Sequence, residues 1–172
     1  MKYPEYVYWK PNPEFISELT DYLSNKKVLE IFAGNGYLAS LLKDKNIDIK
    51  ATSILSGMDG HNIKLFDNVE NIKASSAVSI YKNDYDVLML CWPTTTEDAV
   101  KAILSWGPDK DIVFIGEYTD YSKNQLGGCA TDLFFEITED IYTFQSYKGN
   151  IYEKASVMRL KKDYLDTIIK KI

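Results

Sequence analysis

The stretch that most restricts the fold of this 172-residue chain is LEIFAGNGYLASLL, residues 29 to 42. An apolar run that contains one acid leads into Gly34 and Gly36, and an amphipathic helical pattern follows. Glycines at the carboxyl end of a strand let the main chain turn sharply and approach a ligand, and the helix behind them presents free amides. The segment therefore predicts the start of a parallel α/β sheet with a nucleotide-like ligand at the turn.

The rest of the chain alternates between helical and strand patterns, which is typical of a parallel sheet covered on both faces. Predicted helices cover residues 11–24, 37–45, 67–81 and 94–106, and predicted strands cover residues 28–32, 47–53, 85–91 and 111–115. Two later apolar runs, 141–147 and 155–160, are joined by seven residues, too few for a helical crossover, so an antiparallel hairpin is predicted. We expect one domain over residues 1–172, with an aromatic N-terminal segment at 1–11 and a tail or helix at 161–172.

Composition and charge narrow the function. The formal net charge is -5 and no block of five like charges occurs, so nucleic acid is an unfavoured partner. Neither a signal-like start nor a run of 18 apolar residues is present, so a soluble, cytoplasmic protein is expected. Cys91 and Cys129 lie far apart without partner histidines, and His61 is the only histidine, so neither a disulfide framework nor a metal site is predicted.

One interpretation of the glycine turn is a dinucleotide site. Gly34, Gly36 and Ala39 match the fingerprint G-x-G-x-x-A. The fingerprint also requires an acid about 20 residues later for a ribose hydroxyl, whereas the second predicted strand ends in Thr52 and Ser53. A nicotinamide-dependent oxidoreductase is therefore an alternative with an incomplete motif.

Another interpretation explains more residues. Residues 28–36, VLEIFAGNG, resemble the first motif of class I S-adenosylmethionine-dependent methyltransferases, in which an acid precedes a turn ending in G-x-G. The Phe-Ala pair before Gly34 is similar to the variant seen in DNA methyltransferases, and the YDVLML strand with the loop 91–94 lies where the family has its fourth motif. The resemblance covers roughly residues 12–160. It implies a Rossmann-like three-layer sandwich with a mostly parallel seven-stranded sheet and a C-terminal antiparallel hairpin.

A narrower resemblance rests on three short motifs. Cys91-Trp92-Pro93, Ile115-Gly116-Glu117 and Gly127-Gly128-Cys129 together resemble a group of methyltransferase-like proteins to which the sequence assigns no function.

The resemblance implies S-adenosylmethionine as cofactor and assigns residues to it. The implied cofactor-binding residues are Glu30, Phe32, Ala33, Gly34, Asn35, Gly36 and Ser53, and the implied substrate-binding residues are Cys91, Trp92, Pro93 and Thr94. The family usually has an acid at the end of the second strand that holds both ribose hydroxyls. Ser53 stands there in this chain, and Asp59 in the next loop is a possible substitute.

Methyl transfer from a sulfonium needs mainly close alignment of donor and acceptor, so no catalytic triad is expected. Glu117, which ends the apolar run DIVFIG, is the candidate general base for an acceptor hydroxyl or amine. Cys91 precedes Pro93, whereas the thiolate of cytosine-methylating enzymes follows its proline, so a covalent role is rejected. The N-terminal aromatic residues are either a lid over the acceptor or a packed segment.

The leading hypothesis is a methyltransferase that acts on a small-molecule or protein acceptor. The first alternative is a non-catalytic methyltransferase-fold protein used for binding or as a scaffold, since Ser53 replaces the ribose-binding acid.

Overall fold

The computed structural model describes residues 3–55 and 64–169. The strands are β1 Lys27–Ile31, β2 Asp48–Ser53, β3 Val69–Asn71, β4 Val87–Cys91, β5 Asp111–Glu117, β6 Thr138–Thr143 and β7 Glu153–Leu160. The α-helices are α1 Pro13–Leu23, α2 Tyr37–Lys43, α3 Ala74–Tyr81, α4 Asp98–Trp106, α5 Asp132–Ile137 and α6 Lys162–Ile169.

Within these ranges the strands form one sheet in the order β3-β2-β1-β4-β5-β7-β6. The first five strands of this order pair in parallel, and β7 runs antiparallel to both β5 and β6. The predicted Rossmann-like sheet with a C-terminal antiparallel hairpin is therefore confirmed.

Two apolar cores cover the two faces of the sheet. Leu19 on α1 and Leu42 on α2 are fully buried on one face, and Ile103 on α4 and Phe134 on α5 are fully buried on the other. Strands β1 and β4 contribute side chains to both cores, which places them at the centre of a three-layer sandwich.

The predicted helix over 67–81 is wrong in its first half. Residues 69–71 are strand β3, in which Val69 pairs with Ala51, and the helix begins only at Ala74. The helical spacing of Val69 and Val78 misled the prediction because a strand of three residues is too short to reveal its own period. The strand predicted at 141–147 also begins earlier, at Thr138.

Two helices begin without a side-chain cap. Thr94 and Glu97 have the spacing of a capping box, but helix α4 begins after Glu97 and no side chain caps it. Asn12 does not cap α1 either: its side-chain amide donates to the Ser146 carbonyl at 2.9 Å and accepts from the Lys148 amide at 3.1 Å. These bonds tie the N-terminal segment to the loop after β6.

Within the tail or helix expected at 161–172, Lys162–Ile169 form helix α6. Nowhere in the two described ranges does a helix have both the length and the apolar character needed to cross a bilayer.

Candidate ligand-binding site

The candidate site lies at the carboxyl ends of β1 and β4, which are neighbours in the sheet. The helix after β1 packs on one face and the helix after β4 packs on the other. Adjacent parallel strands with this arrangement leave a crevice between their ends, where open α/β sheets bind ligands. A cavity of about 610 Å³ opens there, a volume suited to a small-molecule ligand.

Bulky residues with positive φ follow both strands. The φ angle is +59° at Phe32, directly after β1, and +54° at Trp92, directly after β4. Left-handed backbone is unusual for aromatic residues, costs about 1–3 kcal/mol and is concentrated at functional sites. Neighbouring strands hold the two turns, because Ala33 donates to the Thr52 carbonyl at 3.0 Å and Trp92 donates to the Ile115 carbonyl at 2.8 Å.

The two glycines of the turn differ in their surroundings. A Cβ atom on Gly36 would lie 2.8 Å from a methyl group of Val69 and 3.0 Å from the Cβ of Asp67. A Cβ atom on Gly34 would meet nothing within 4 Å. Gly36 is therefore needed for close packing, whereas Gly34 leaves open space in the cavity wall. The Gly34 amide donates to the Ser53 hydroxyl at 3.2 Å.

Glu30 is the buried acid of the site. It lines the cavity with 1% of its surface exposed, and its Oε2 atom has no hydrogen-bond partner among the described residues. The pKa of Glu30 is raised to about 8, chiefly by burial and to a smaller extent by the nearby Asp67, while Lys43 opposes the rise. The Lys43 ammonium lies 2.6 Å from an Asp67 carboxylate oxygen.

Trp92 brings a second unpartnered polar atom to the same cavity. Its indole Nε1 is buried and has no acceptor among the described residues. A buried donor or acceptor left without a partner costs about 1–3 kcal/mol. One unpartnered carboxyl oxygen and one unpartnered N–H in a single cavity are therefore suited to a ligand that offers both a donor and an acceptor.

The N-terminal aromatic segment covers the cavity. Tyr8 and Trp9 are among the lining residues, and the Tyr8 ring meets the Trp92 ring edge-on, with centroids 5.5 Å apart. The Trp9 indole donates to the Tyr147 hydroxyl at 3.2 Å, and the Asn35 side chain donates to the Tyr6 carbonyl at 3.0 Å. The segment is thus both packed on the domain and part of the cavity wall.

The IGE and GGC motifs pack against each other beside the cavity. A Cβ atom on Gly116 would lie 2.8 Å from the Cys129 sulfur, and the Glu117 carboxylate accepts a 2.9 Å hydrogen bond from the Gly128 amide. Gly128 and Cys129 line the cavity, whereas Glu117 is not among the described residues that do. The role of Glu117 as a general base stays a prediction, and its observed contact is with the loop.

The two cysteines belong to opposite faces of the sheet. Cys91 packs with the core under α1 and α2, whereas Cys129 packs with the core under α4 and α5. Burial raises the pKa of the Cys91 thiol well above its usual range, with a smaller contribution from Glu30, and burial raises the pKa of Cys129 to about 11. Both groups are therefore neutral thiols at physiological pH.

The cavity brings together most of the residues that the sequence assigned to a site. The assigned residues that line it are Glu30, Phe32, Ala33, Gly34, Asn35, Cys91, Trp92, Pro93 and Thr94. Gly36 and Ser53 support the turn from outside the lining, and Asp59 and His61 lie outside the described residues. Sequence reasoning missed Tyr37, for which the signal was its position directly after the glycine turn. Whether these residues contact a ligand stays a prediction.

The fold has several structural neighbours, although no protein-family model and no curated protein matches the sequence. A mutant of MtNAS in complex with S-adenosylmethionine has a TM-score of 0.58 at 11% identity, with 87% of this chain and 62% of that chain covered. The glycopeptide N-methyltransferase MtfA, complexed with sinefungin, has a TM-score of 0.51 at 10% identity, with 93% and 99% covered. The fold is therefore the three-layer α/β fold of these structures.

A further structure with this fold comes from a study of the conversion of a disulfide bond into a thioacetal group during echinomycin biosynthesis. Its TM-score is 0.57 at 10% identity, and the alignment covers 99% of this chain and 91% of that chain. The chain spans only about three fifths of MtNAS. At these identities the likeness establishes the fold, and the narrower resemblance through CWP and GGC stays a prediction.

Proposed function

We propose that the chain binds S-adenosylmethionine in the cavity between the ends of β1 and β4 and transfers its methyl group to a small-molecule or protein acceptor. The observation that carries the proposal is a cavity at the switch point of a methyltransferase fold, walled by the glycine turn and by an acid with an unpartnered oxygen. Two neighbours of the same fold bind S-adenosylmethionine and sinefungin, which supports the same cofactor here.

The residues present fit the amino-acid end of this cofactor. Glu30 offers an oxygen and Trp92 offers an N–H, and the methionine part of S-adenosylmethionine carries an ammonium group and a carboxylate that complement them. The open space at Gly34 leaves room for a ligand beside the turn. The fit is weaker at the ribose end, because Ser53 offers a hydroxyl where the family usually has a carboxylate and that hydroxyl accepts from Gly34.

S-adenosylmethionine supplies an electrophilic methyl group when bound. The protein contributes positioning: Trp92 and Pro93 wall the cavity on the side of β4, and Tyr8 and Trp9 cover it. Holding donor and acceptor in line and excluding water is enough to accelerate such a displacement.

Calorimetric titration with S-adenosylmethionine and with its demethylated product tests cofactor binding. We expect one binding site, with retained binding in Glu139→Gln, which removes an exposed carboxyl on β6. Incubation with methyl-labelled cofactor and candidate amine, hydroxyl and thiol acceptors then tests transfer. Absence of heat and of a thermal shift at millimolar ligand would contradict the proposal.

The position of Ser53 also favours a second candidate, a binding protein of this fold that no longer catalyses transfer. Ser53→Asp restores a carboxylate at the end of β2, and we expect it to tighten cofactor binding at least tenfold. Unchanged affinity in this variant would remove the reason to regard the natural site as weakened. Tighter binding without transfer to any acceptor would favour the non-catalytic candidate.

A further inference from the structure

We propose that the cavity is selective for methylated onium cations, ammonium or sulfonium, that also carry a hydrogen-bond acceptor. The sulfonium case rests on the proposed function, whereas an ammonium ligand would bind whether or not methyl transfer takes place.

Several aromatic side chains contribute to the cavity wall. Five of them line it: Tyr8, Trp9, Phe32, Tyr37 and Trp92. The Tyr8 and Trp92 rings stand at 83° to each other with centroids 5.5 Å apart, so they form a right-angled corner. Onium cations bind in such aromatic surroundings because their diffuse positive charge is attracted by the electron-rich ring faces.

The charge of the cavity wall favours a cation as well. Glu30 is the only carboxyl group among the described lining residues, and no lysine or arginine is among them. The groups that face Glu30 are Asp67, Lys43 and the neutral thiol of Cys91. Lys43 is already paired with Asp67, so no free cation nearby competes for the buried acid.

The Trp92 indole favours a ligand that also carries a hydrogen-bond acceptor. Its buried Nε1 has no partner among the described residues, so a ligand with a hydroxyl or carboxylate oxygen gains a hydrogen bond that a bare cation does not. Choline and S-adenosylmethionine both combine an onium centre with such an oxygen.

The proton on Glu30 gives the interaction a pH dependence. The pKa of Glu30 in the free protein is raised to about 8, chiefly by burial. A cation stabilises the ionised carboxylate, so binding releases a proton below that pH and the affinity for a cation rises from pH 6 to pH 8.

The decisive experiment compares ligands that differ only in charge. Choline and 3,3-dimethylbutanol have the same shape and the same hydroxyl group, and S-adenosylmethionine and S-adenosylhomocysteine differ by the methylated sulfonium. Affinities are measured by calorimetry or by NMR titration. We expect at least a tenfold preference for the cation in one or both pairs. The preference for choline is expected to fall to threefold or less in Glu30→Gln and to be retained in Glu139→Gln.

Equal affinity for both members of each pair, or a preference for choline that Glu30→Gln does not change, would overturn the proposal. If Glu30→Gln does not fold, the wild-type affinity for choline at pH 6 and pH 8 decides: a pH-independent affinity overturns the proposal. Binding of S-adenosylmethionine without a preference for the charged ligand would support the proposed function and overturn the cation selectivity. A preference for choline without binding of S-adenosylmethionine would support the cation selectivity and overturn the proposed function.

Discussion

The substitution Glu30→Gln tests whether a buried carboxyl group opposes folding at neutral pH. Its pKa is raised from an ordinary value of 4.5 to about 8 in the folded protein, with burial as the main cause. A raised pKa means that the folded state holds the proton more tightly than the unfolded state does. The stabilisation from this bound proton is complete below the unfolded pKa and is lost as the pH rises towards the folded pKa. Glu30 therefore lowers the free energy of unfolding progressively between pH 4.5 and pH 8.

The magnitude follows from the interval between the unfolded pKa and the working pH. Each pH unit corresponds to about 1.4 kcal/mol, so at pH 7 Glu30 lowers the free energy of unfolding by about 3 kcal/mol relative to a group that does not titrate. Glutamine has nearly the same shape and no proton to release. The variant is expected to be within about 1 kcal/mol of the wild type near pH 5 and to exceed its stability by about 3 kcal/mol at pH 7.

Urea unfolding followed by tryptophan fluorescence at pH 5, 6, 7 and 8 measures the effect. Glu139→Gln, on the exposed side of β6, is the matched control and is expected to follow the wild-type curve. Parallel curves for Glu30→Gln and the wild type would refute the reasoning, since they would mean that Glu30 titrates in the same range in both states.

Three further predictions concern the walls of the cavity. Gly34→Ala and Gly36→Ala both place a side chain at positive φ, which costs about 1–2 kcal/mol. Gly36→Ala is expected to lower the free energy of unfolding more, because its Cβ would lie 2.8 Å from a methyl group of Val69 on β3. Equal losses in urea unfolding would contradict this. Glu117→Gln keeps an acceptor oxygen for the Gly128 amide, which donates to the Glu117 carboxylate at 2.9 Å. This variant is therefore expected to retain the ligand affinity that Glu117→Ala loses. A loss of turnover by about 100-fold or more in Glu117→Gln, with unchanged affinity, would instead identify a general base. Burial raises the pKa of Cys91 and raises that of Cys129 to about 11, so both thiols are expected to react slowly with iodoacetamide at pH 7.5 and quickly in urea. Fast labelling of the folded protein would be inconsistent with neutral thiols.

The fold was largely predictable from local patterns. Three features could be recognised from residues adjacent in the sequence. They are the glycine turn after β1, the continuous apolar run of β4 and the short link between the last two strands. Strand β3 was not predictable in this way, because its three residues become a strand only by pairing with β2. That pairing is a long-range contact with no counterpart in the local apolar spacing.

The site was predictable only in part, for a similar reason. Glu30, Gly34 and Trp92 could be assigned through the resemblance to methyltransferases, and they line one cavity because a parallel sheet brings their strand ends to one edge. The part played by Trp9 depends on the path of the N-terminal segment. That path is fixed by contacts such as the hydrogen bond between Trp9 and Tyr147, which are 138 positions apart in the chain.

A crystal structure of the protein grown with S-adenosylmethionine would decide where the ligand binds. We expect density for the adenosyl ligand between the ends of β1 and β4, with its amino-acid part beside Glu30 and Trp92 and its methyl group facing the side of Pro93. An empty cavity at saturating ligand, or a ligand bound elsewhere on the protein, would contradict the proposed site.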